Sequence, residues 1–260
     1  MRKSNVILSE AKNLVRSFGK NRLRMTHIKV RSAEKEIIDL VPLTYEETLN
    51  TYKLISRVNQ YLGGIAVILN HLSRFSTHWQ PEQTLRILDI GSGSADIPQA
   101  IARWCRKRKQ AVRITALDLS REALQMARHL SGDYPEIQFV QGSCFELPFL
   151  NDSYDYVISS LFFHHLEDSQ AVAALKSFDR IAQRGIIIND LLRSRRAFWG
   201  IKLLAAFTQD KIFKNDAPLS VLRGFVPDEA GALIQQSGLS YLRFYRHFAY
   251  RFALAGEKHA

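Results

Sequence analysis

Short apolar runs alternate with amphipathic stretches through the middle of the chain. The runs are rich in β-branched residues and predict strands at Leu85–Ile90, Val112–Leu117, Ile137–Val140, Tyr154–Ser159 and Gly185–Ile188. Apolar residues at helical spacing between them predict helices at Asp96–Lys107, Arg121–Leu130 and Ser169–Ile181. Because each helix is long enough to cross a sheet face, the pattern indicates βαβ units. The expected fold class is α/β with a mostly parallel sheet.

Further elements are predicted on both sides of this alternation. Thr44 and Glu47 have the spacing of a capping box, and apolar residues at helical spacing follow as far as Leu62. A second helix is expected over Ile65–Phe75, so an N-terminal helical extension precedes the sheet. Near the C-terminus, Pro227 favours the start of another helix. The chain ends in two strand-like runs, Tyr241–Tyr245 and Phe248–Ala255.

The net charge of +11 is concentrated at the N-terminus. Residues 1–24 contain seven Lys and Arg residues and one acidic residue, Glu10. They contribute about half of the excess positive charge. We interpret residues 1–40 as a basic, poorly ordered tail, residues 41–80 as a helical cap or lid, and residues 81–260 as the main domain. Met25 is a candidate initiator, because helical patterning begins only well after it.

Composition restricts the class of protein further. The two cysteines, Cys105 and Cys144, lack the spacing of a disulfide framework or a metal site, and they fit a reducing compartment. No apolar run reaches the length of about 18 residues that predicts a membrane span. We interpret the apolar segment 197–207 as a buried or lid helix rather than a membrane-surface segment. A cytoplasmic location is expected, and a homodimer is left open.

Glycines stand at the turn after the first predicted strand, in the sequence Asp89-Ile90-Gly91-Ser92-Gly93. Glycine permits a positive φ and allows a ligand to approach the backbone closely. The dinucleotide fingerprint would need a glycine at position 96, where the carboxylate of Asp96 would instead repel a pyrophosphate. This argues against NAD and FAD. S-adenosylmethionine has no phosphate and carries two cationic groups, so acidic residues around the turn favour it.

A second acidic residue, Asp118, ends the next predicted strand. A carboxylate at that position can accept hydrogen bonds from both hydroxyls of an adenosine ribose. The glycine turn and the strand-end acid together predict a site for a phosphate-free adenosine cofactor. The alternative is that Asp89 and Asp118 only cap the helices that follow them.

Four motifs carry a resemblance to a known family: LDIGSGSADIP, ITALDLSREALQMAR, FVQGSCFELPF and SYDYVISSLFFHHLED. With them, the stretch from Leu85 to about Gly256 resembles the class I S-adenosylmethionine-dependent methyltransferases, in particular the small-molecule enzymes of the ubiquinone/menaquinone methyltransferase type. The resemblance implies a Rossmann-like seven-stranded sheet with an antiparallel C-terminal strand. It also implies S-adenosyl-L-methionine as cofactor and S-adenosyl-L-homocysteine as product.

The resemblance assigns cofactor contacts to positions in these motifs. The glycine loop would hold the methionine part, the strand-end acid the ribose, and the loop after the third strand the adenine. The residues concerned are Asp89, Gly91, Ser92, Gly93, Asp118, Leu119, Ser143, Cys144 and Ser160. Two positions depart from the family pattern. Ala95 replaces a third glycine, which is tolerable if that residue is already helical, because alanine is the better helix former. Ser143 replaces the carboxylate that would accept from the adenine amino group, which weakens that bond.

His164 and His165 follow the fourth predicted strand, at the edge of the sheet where open α/β folds bind ligands. A histidine there is a candidate catalytic base for a hydroxyl acceptor, and structural packing is the alternative. Adjacent residues rarely point the same way, so we expect at most one of the two to face the acceptor. Asp190 and Arg223 are candidate substrate contacts. The alternatives are that Asp190 caps the next helix and that Arg223 is an ordinary surface arginine.

The aromatic residues of segment 197–207 suggest an aromatic or apolar acceptor. The expected function is O-methylation of a phenolic, quinone-like or polyketide small molecule. The basic run Arg103–Lys109 makes RNA methylation an alternative. Base-amine methylases usually carry an Asn/Asp-Pro-Pro-Tyr/Phe motif where this chain has Ser159-Ser160-Leu161-Phe162, so a nucleic-acid partner is not favoured. A non-catalytic adenosylmethionine-binding regulatory protein is the other alternative.

Overall fold

A seven-stranded sheet forms the centre of the computed structural model, which describes residues 30–80 and 82–258. In chain order the strands are β1 (Leu85–Ile90), β2 (Val112–Asp118), β3 (Ile137–Gln141), β4 (Tyr154–Ser160), β5 (Ala182–Leu191), β6 (Arg243–His247) and β7 (Arg251–Glu257). They lie side by side in the order β3-β2-β1-β4-β5-β7-β6. Strand β7 runs antiparallel to β5 and β6, and the other neighbours are parallel. The expected mostly parallel sheet with an antiparallel C-terminal strand is confirmed.

Helices cover both faces of this sheet. They are α1 (Ile37–Leu40), α2 (Tyr45–Tyr61), α3 (Gly64–Phe75), α4 (Asp96–Arg108), α5 (Arg121–Leu130), α6 (Asp168–Ile181), α7 (Arg195–Ala206), α8 (Lys211–Arg223) and α9 (Pro227–Ser237). The predicted capping box is present at the start of α2, where Thr44 and Glu47 satisfy each other's backbone amides. Helix α8 was not predicted, because Pro218 inside it interrupts the usual helical pattern.

The apolar strands are buried on both faces, as a parallel sheet requires. In β1, Leu88 and Ile90 pack in a core that includes α6 and α9. On the opposite face, Leu85 and Ile87 pack in a core that includes α3 and α4. Helix α3 is therefore part of the main hydrophobic core, although the sequence placed it in a separate cap or lid.

The strand order fixes where a ligand can bind. From β1 the chain moves outward in one direction through β2 and β3, and then returns to the other side of β1 to form β4 and β5. The connections beyond the carboxyl ends of β1 and β4 therefore diverge, which opens a crevice at that edge of the sheet. The glycine turn follows β1, and the histidine pair follows β4.

The segment 30–40 packs across this crevice. The guanidinium of Arg31 stacks on the ring of Phe225, with 4.0 Å to its centroid, and donates to the carbonyl of His164 at 3.0 Å. Glu36 is buried. These contacts differ from the expected poorly ordered tail, because the segment supplies both charge and apolar surface to the edge of the sheet. Residues 1–29, with the candidate initiator Met25, lie outside the described residues.

Across residues 30–80 and 82–258, every helix is too short or too polar to cross a bilayer.

Candidate cofactor and acceptor site

A cavity of about 1450 Å³ occupies the crevice. Its walls come from the glycine turn, the ends of β2 and β4, the loop after β3, and helices α1, α2, α7 and α8. All the residues predicted to bind the cofactor line this cavity: Asp89, Gly91, Ser92, Gly93, Asp118, Leu119, Ser143, Cys144 and Ser160. The sequence motifs, although spread over four loops, are thus brought to one site.

The glycine turn is held tightly against its surroundings. The amide of Gly91 donates to the carbonyl of Leu117 at 2.9 Å, and the amide of Gly93 donates to the Asp118 carboxylate at 2.8 Å. Both glycines have positive φ, 72° and 51°. A Cβ atom at position 91 would lie 2.8 Å from the ring of Phe162, and one at position 93 would lie 2.5 Å from the ring of Tyr52. Both positions therefore require glycine for conformation and for space.

Ala95 does not have the helical conformation in which alanine would be well tolerated. It is the N-cap of α4 and has left-handed backbone angles, φ 58° and ψ 27°. The turn, not the helix, sets the backbone at this position. An alanine in the left-handed region is strained by contact of its Cβ with the backbone, at a cost of about 1–2 kcal/mol.

Three carboxyl groups surround the turn, and burial raises the pKa of each: Asp89, Asp96 and Asp118. The neighbouring Asp96 and Asp118 raise the pKa of Asp89 further. A cationic ligand would relieve this repulsion, whereas a phosphate would increase it. The buried hydroxyl of Ser92 has no hydrogen-bond partner within the described part of the chain, so it is available to a ligand. The turn thus fits a ligand with an ammonium and a sulfonium.

His164 is enclosed between two carboxylates in the short 3-10 turn Phe163–His165. Its Nδ1 atom lies 2.7 Å from Asp190 Oδ1, and its Nε2 atom lies 3.4 Å from Glu36 Oε1. Burial alone would lower the pKa of His164, but Asp190 and Glu36 raise it to about 10. His164 is therefore a buried imidazolium at neutral pH, in an ion pair on each side.

His165 has a different environment, although its ring centroid is only 4.3 Å from that of His164. Its Nδ1 atom lies 2.7 Å from Asp39 Oδ2, and its Nε2 atom is 3.9 Å from Glu36 Oε2. The two adjacent rings thus lie side by side, and the expectation that at most one of them faces the acceptor stays a prediction. A 3-10 turn, unlike an extended strand, projects neighbouring side chains within the same half-turn, so both rings reach the side where Glu36 lies.

Comparison with known proteins agrees with this geometry. Residues 87–185 match the family model described as a methyltransferase domain. This region contains the glycine turn, Asp118 and both histidines. Residues 87–185 form a class I S-adenosylmethionine-dependent methyltransferase domain. The acidic turn of this methyltransferase domain would repel a phosphate and is suited to S-adenosylmethionine as cofactor.

Relatives by sequence match part of the chain. The ubiquinone/menaquinone biosynthesis C-methyltransferase of Rickettsia bellii is 31% identical over 116 residues, which cover 39% of this chain and 47% of that protein. The protein of the same name from Rickettsia peacockii is 37% identical over 79 residues, which cover 29% of this chain and 32% of that protein. The chain spans less than half the length of these relatives.

Solved structures share the fold at low sequence identity. A SAM-dependent methyltransferase from Aquifex aeolicus has a TM-score of 0.57 and 15% identity, covering 81% of this chain and 97% of that one. The CMeT domain of the citrinin polyketide synthase has a TM-score of 0.55 and 14% identity, covering 72% of this chain and 49% of that one. These structures show that the Rossmann-like arrangement extends beyond the matched residues.

Asp190 and Arg223 have a different role from the substrate contacts predicted for them. Both are buried, and neither lines the cavity. Asp190 accepts hydrogen bonds from the ring and the amide of His164. Arg223 donates to the carbonyls of His164 and His165, at 3.0 and 2.8 Å, and to the carbonyl of Glu34. They lie behind the histidine turn and hold it in place, because a buried charge must be satisfied by local partners.

Three residues that line the cavity were missed by the sequence analysis: Glu36, Asp39 and Tyr52. The two histidines lower the pKa of Glu36 despite its burial, and the hydrogen bond from His165 does the same for Asp39. Tyr52 lies against Gly93, and burial and the charge of Asp118 raise its pKa. An apolar pair flanked by acids, Glu36-Ile-Ile-Asp39, is the only local signal, and it does not indicate a partner far along the chain.

Glu36, His164 and His165 also form a group with ligand atoms within 4.8 Å of one another, close enough to hold a metal ion, in the part of the chain that the structure describes. Glu36 Oε1 accepts a hydrogen bond from the hydroxyl of Ser220 at 2.8 Å. Its other close partner is the Nε2 atom of His164, so Glu36 already has polar partners within the protein. The sequence prediction of no metal site, which rested on cysteine and histidine spacing, stays a prediction.

Proposed function

We propose that the protein transfers a methyl group from S-adenosylmethionine to a hydroxyl oxygen of a small phenolic, quinone-like or polyketide acceptor. The observation that carries this proposal is the His165–Asp39 pair, which lies in the same cavity as the acidic glycine turn. These two features support a donor site and a proton acceptor in one cavity. Methyl transfer to oxygen needs both.

At the donor end, the glycine turn and Ser92 would hold the methionine part of the cofactor, and Asp118 would hold the ribose. The loop with Ser143 and Cys144 would contact the adenine. S-adenosylmethionine supplies an electrophilic methyl carbon bound to a sulfonium. The chain contributes by aligning the acceptor with that carbon and excluding water.

At the acceptor end, the cavity is bounded by apolar side chains of several helices, including Ile55, Ile201, Leu204 and Phe213. Its volume of about 1450 Å³ exceeds the range of about 300–1000 Å³ typical of a site for one drug-sized ligand. There is therefore room for the cofactor and a second molecule. The apolar wall favours an aromatic or polyketide-like acceptor over a sugar or a nucleotide.

We propose His165 rather than His164 as the base. His164 retains its proton because two carboxylates raise its pKa to about 10. His165 keeps Nδ1 in a hydrogen bond with Asp39, which leaves Nε2 to accept the hydroxyl proton of the acceptor. The oxygen then attacks the methyl carbon in line with the leaving sulfur. The products are a methyl ether and S-adenosylhomocysteine, and the proton remains on His165.

Methylation at carbon is a second candidate reaction. The Rickettsia relatives are named C-methyltransferases, and removal of a phenol proton also activates the carbon next to the hydroxyl. The same base would therefore serve either outcome. Mass spectrometry combined with NMR of the product distinguishes an O-methyl from a C-methyl group.

RNA methylation has less support. In the basic run, Arg106 forms a two-pronged hydrogen-bonded pair with Glu136 at 2.6 and 2.8 Å, and Arg108 stacks on Trp104. The run also lies in the second half of α4, about 10 to 18 Å along the helix from the end that follows the glycine turn. These residues are used within the protein and are remote from the methyl donor.

The decisive experiment has two stages. Calorimetry with S-adenosylmethionine and S-adenosylhomocysteine should show binding to the wild type and a loss of at least tenfold in affinity, or about 1.4 kcal/mol, for Asp118→Ala. A panel of phenols and quinols should then give a methylated product with the wild type. Absence of cofactor binding by the wild type would refute the proposal. Binding without turnover of any acceptor would instead favour the non-catalytic regulator.

A further inference from the structure

Helix α7 exposes apolar side chains where a surface helix normally exposes polar ones. Trp199, Leu203 and Phe207 recur every four residues, so they lie along one side of the helix, which we call the outer face of α7. Their exposed fractions are 50%, 65% and 83%. Contiguous exposed apolar surface of this kind marks an interaction site.

The outer face is apolar in addition to the side of α7 that packs against the protein. The opposite side of α7 is also apolar, and it is already packed: Phe198 and Ala205 are buried, and Phe198 belongs to a cluster with Val221 and Leu222 of α8. A helix that is apolar on two sides needs a partner on each. The protein provides only the inner one among its described residues.

Basic residues are concentrated along α7 and at the start of α8, and one of them, Arg196, also lines the cavity. Residues 195–214 contain Arg195, Arg196, Lys202, Lys211 and Lys214, with Asp210 as the single acid. Asp210 is not available as a counter-charge, because its carboxylate caps α8 by accepting from the amide of Phe213 at 2.7 Å. The ammonium of Lys202 lies 4.9 Å from the ring of Trp199. The face is therefore both apolar and strongly cationic.

This combination distinguishes between possible occupants. A second copy of the chain would bring the same five basic residues against one another, which is unfavourable in an apolar contact. The surface of an anionic lipid bilayer matches both features, because apolar side chains enter the boundary with the acyl chains while Lys and Arg contact the headgroups. Trp and Phe beside basic residues are typical of helices that lie in this interface.

A bilayer in contact with α7 would lie close to the cavity. Ala197, Gly200, Ile201 and Leu204 of the same helix line the cavity, so α7 forms part of the cavity wall. A bilayer against the outer face would lie beside this wall, within about one helix diameter, 10 Å, of the cavity. An apolar acceptor dissolved in the bilayer could then enter without crossing water.

We propose that the outer face of α7 docks on the surface of an anionic lipid bilayer and places the cavity beside it. The docking does not depend on the proposed methyl transfer. It corrects the interpretation of segment 197–207 as only a buried or lid helix, because one side of that lid is left apolar and exposed.

The test uses the full chain and vesicle flotation without cofactor or acceptor. Vesicles of phosphatidylcholine are compared with vesicles that also contain phosphatidylglycerol. The wild type should bind the anionic vesicles, and the double variant Leu203→Ser/Phe207→Ser should bind at least about tenfold more weakly. Emission of Trp199 should shift to shorter wavelength on binding. The matched control is Leu150→Ser, which removes an 81% exposed leucine in the loop after β3 and should bind as the wild type does.

Controls separate loss of the outer face from other causes of weaker vesicle binding. The basic residues 1–24 remain in every variant, so a loss specific to the double variant cannot come from them. Unchanged affinity for S-adenosylmethionine in that variant shows that the fold is intact. Equal vesicle binding by the wild type and the double variant would overturn the proposal. So would a concentration-dependent dimer that the double variant disrupts, since the face would then belong to a second copy.

Discussion

The imidazole of His165 and the carboxylate of Asp39 form a hydrogen bond of 2.7 Å between residues 126 positions apart. The bond fixes the ring so that Nδ1 faces Asp39 and Nε2 lies on the side where Glu36 is found. A carboxylate in this position also stabilises the imidazolium that forms when the histidine takes a proton. The N-terminal segment thereby completes a site whose other parts follow strands of the sheet.

Replacing either member of this pair should slow methyl transfer without weakening cofactor binding. Removal of the base by His165→Ala is expected to lower kcat by about 100-fold or more, and Asp39→Asn by about 10- to 100-fold, because general bases contribute factors of this size. Steady-state kinetics and calorimetry with S-adenosylmethionine measure the two properties separately. The control is His129→Ala, an exposed histidine on α5. Normal kcat in His165→Ala would exclude it as the base.

Binding of S-adenosylmethionine should release protons. Burial and the charges of Asp96 and Asp118 raise the pKa of Asp89, so this carboxyl holds its proton to a higher pH in the free protein than an ordinary aspartate does. A cation at the glycine turn favours the ionised form and lowers that pKa. Affinity should therefore increase as pH rises towards the raised pKa of the free protein, and decrease as pH falls.

Calorimetry in buffers of different ionisation enthalpy counts the released protons directly. The variant Asp89→Asn cannot release a proton, and its affinity should depend less on pH than that of the wild type. Identical proton release by the two proteins would show that Asp89 is not the coupled group.

Ala95→Gly should leave the protein as stable as the wild type or stabilise it by up to about 1 kcal/mol. Glycine removes the strain of the left-handed conformation at φ 58°, which offsets the loss of a buried methyl group and the greater freedom of the unfolded chain. Ala102→Gly is the matched control, since it removes a buried methyl group from the middle of α4 and should cost about 1 kcal/mol. Urea unfolding of the two variants gives the comparison. Equal destabilisation by both would contradict the strain at Ala95.

Acid should destabilise the fold through His71. Burial, together with His247 and Arg74, lowers the pKa of His71 to about 4, and the two imidazoles are 3.1 Å apart. The neutral form is the one that fits the fold, so its contribution to stability is complete above the unfolded pKa of about 6.5 and is lost as pH falls from there towards 4. The expected loss is about 1–3 kcal/mol over that range, allowing for partial screening.

His71→Gln isolates this effect from the carboxylates that titrate at similar pH. The free energy of unfolding of the variant should fall less steeply than that of the wild type between pH 6.5 and 4, which are the limits set by the ordinary and lowered pKa values. Parallel curves for the two proteins would mean that His71 does not titrate on folding.

Much of the cofactor end could be predicted from the sequence because its determinants are local. The strand, the turn with Gly91 and Gly93, and the following helix are adjacent along the chain, and Asp118 ends the next strand of the same type of unit. Backbone hydrogen bonding of a parallel sheet brings such strand ends together without further information. Even here, the φ of Ala95 was set by the turn and not by helix propensity.

The acceptor end could not be predicted in the same way. No spacing rule relates Glu36 and Asp39 to histidines more than 120 positions later, and hydrophobic periodicity says nothing about which charges will be buried together. Asp190 and Arg223 were predicted as candidate substrate contacts, but only the packed structure shows that they contact the histidine turn from behind.

The sequence by itself determined the α/β class, the place of the glycine turn and the preference for a cationic, phosphate-free cofactor, because these follow from hydrophobic period, backbone conformation and charge within short segments. Only the tertiary structure decided that Asp39 orients His165, that His164 keeps its proton, and that one side of α7 is left apolar and exposed. These properties depend on burial and on contacts between distant segments. They arise only when the whole chain is packed.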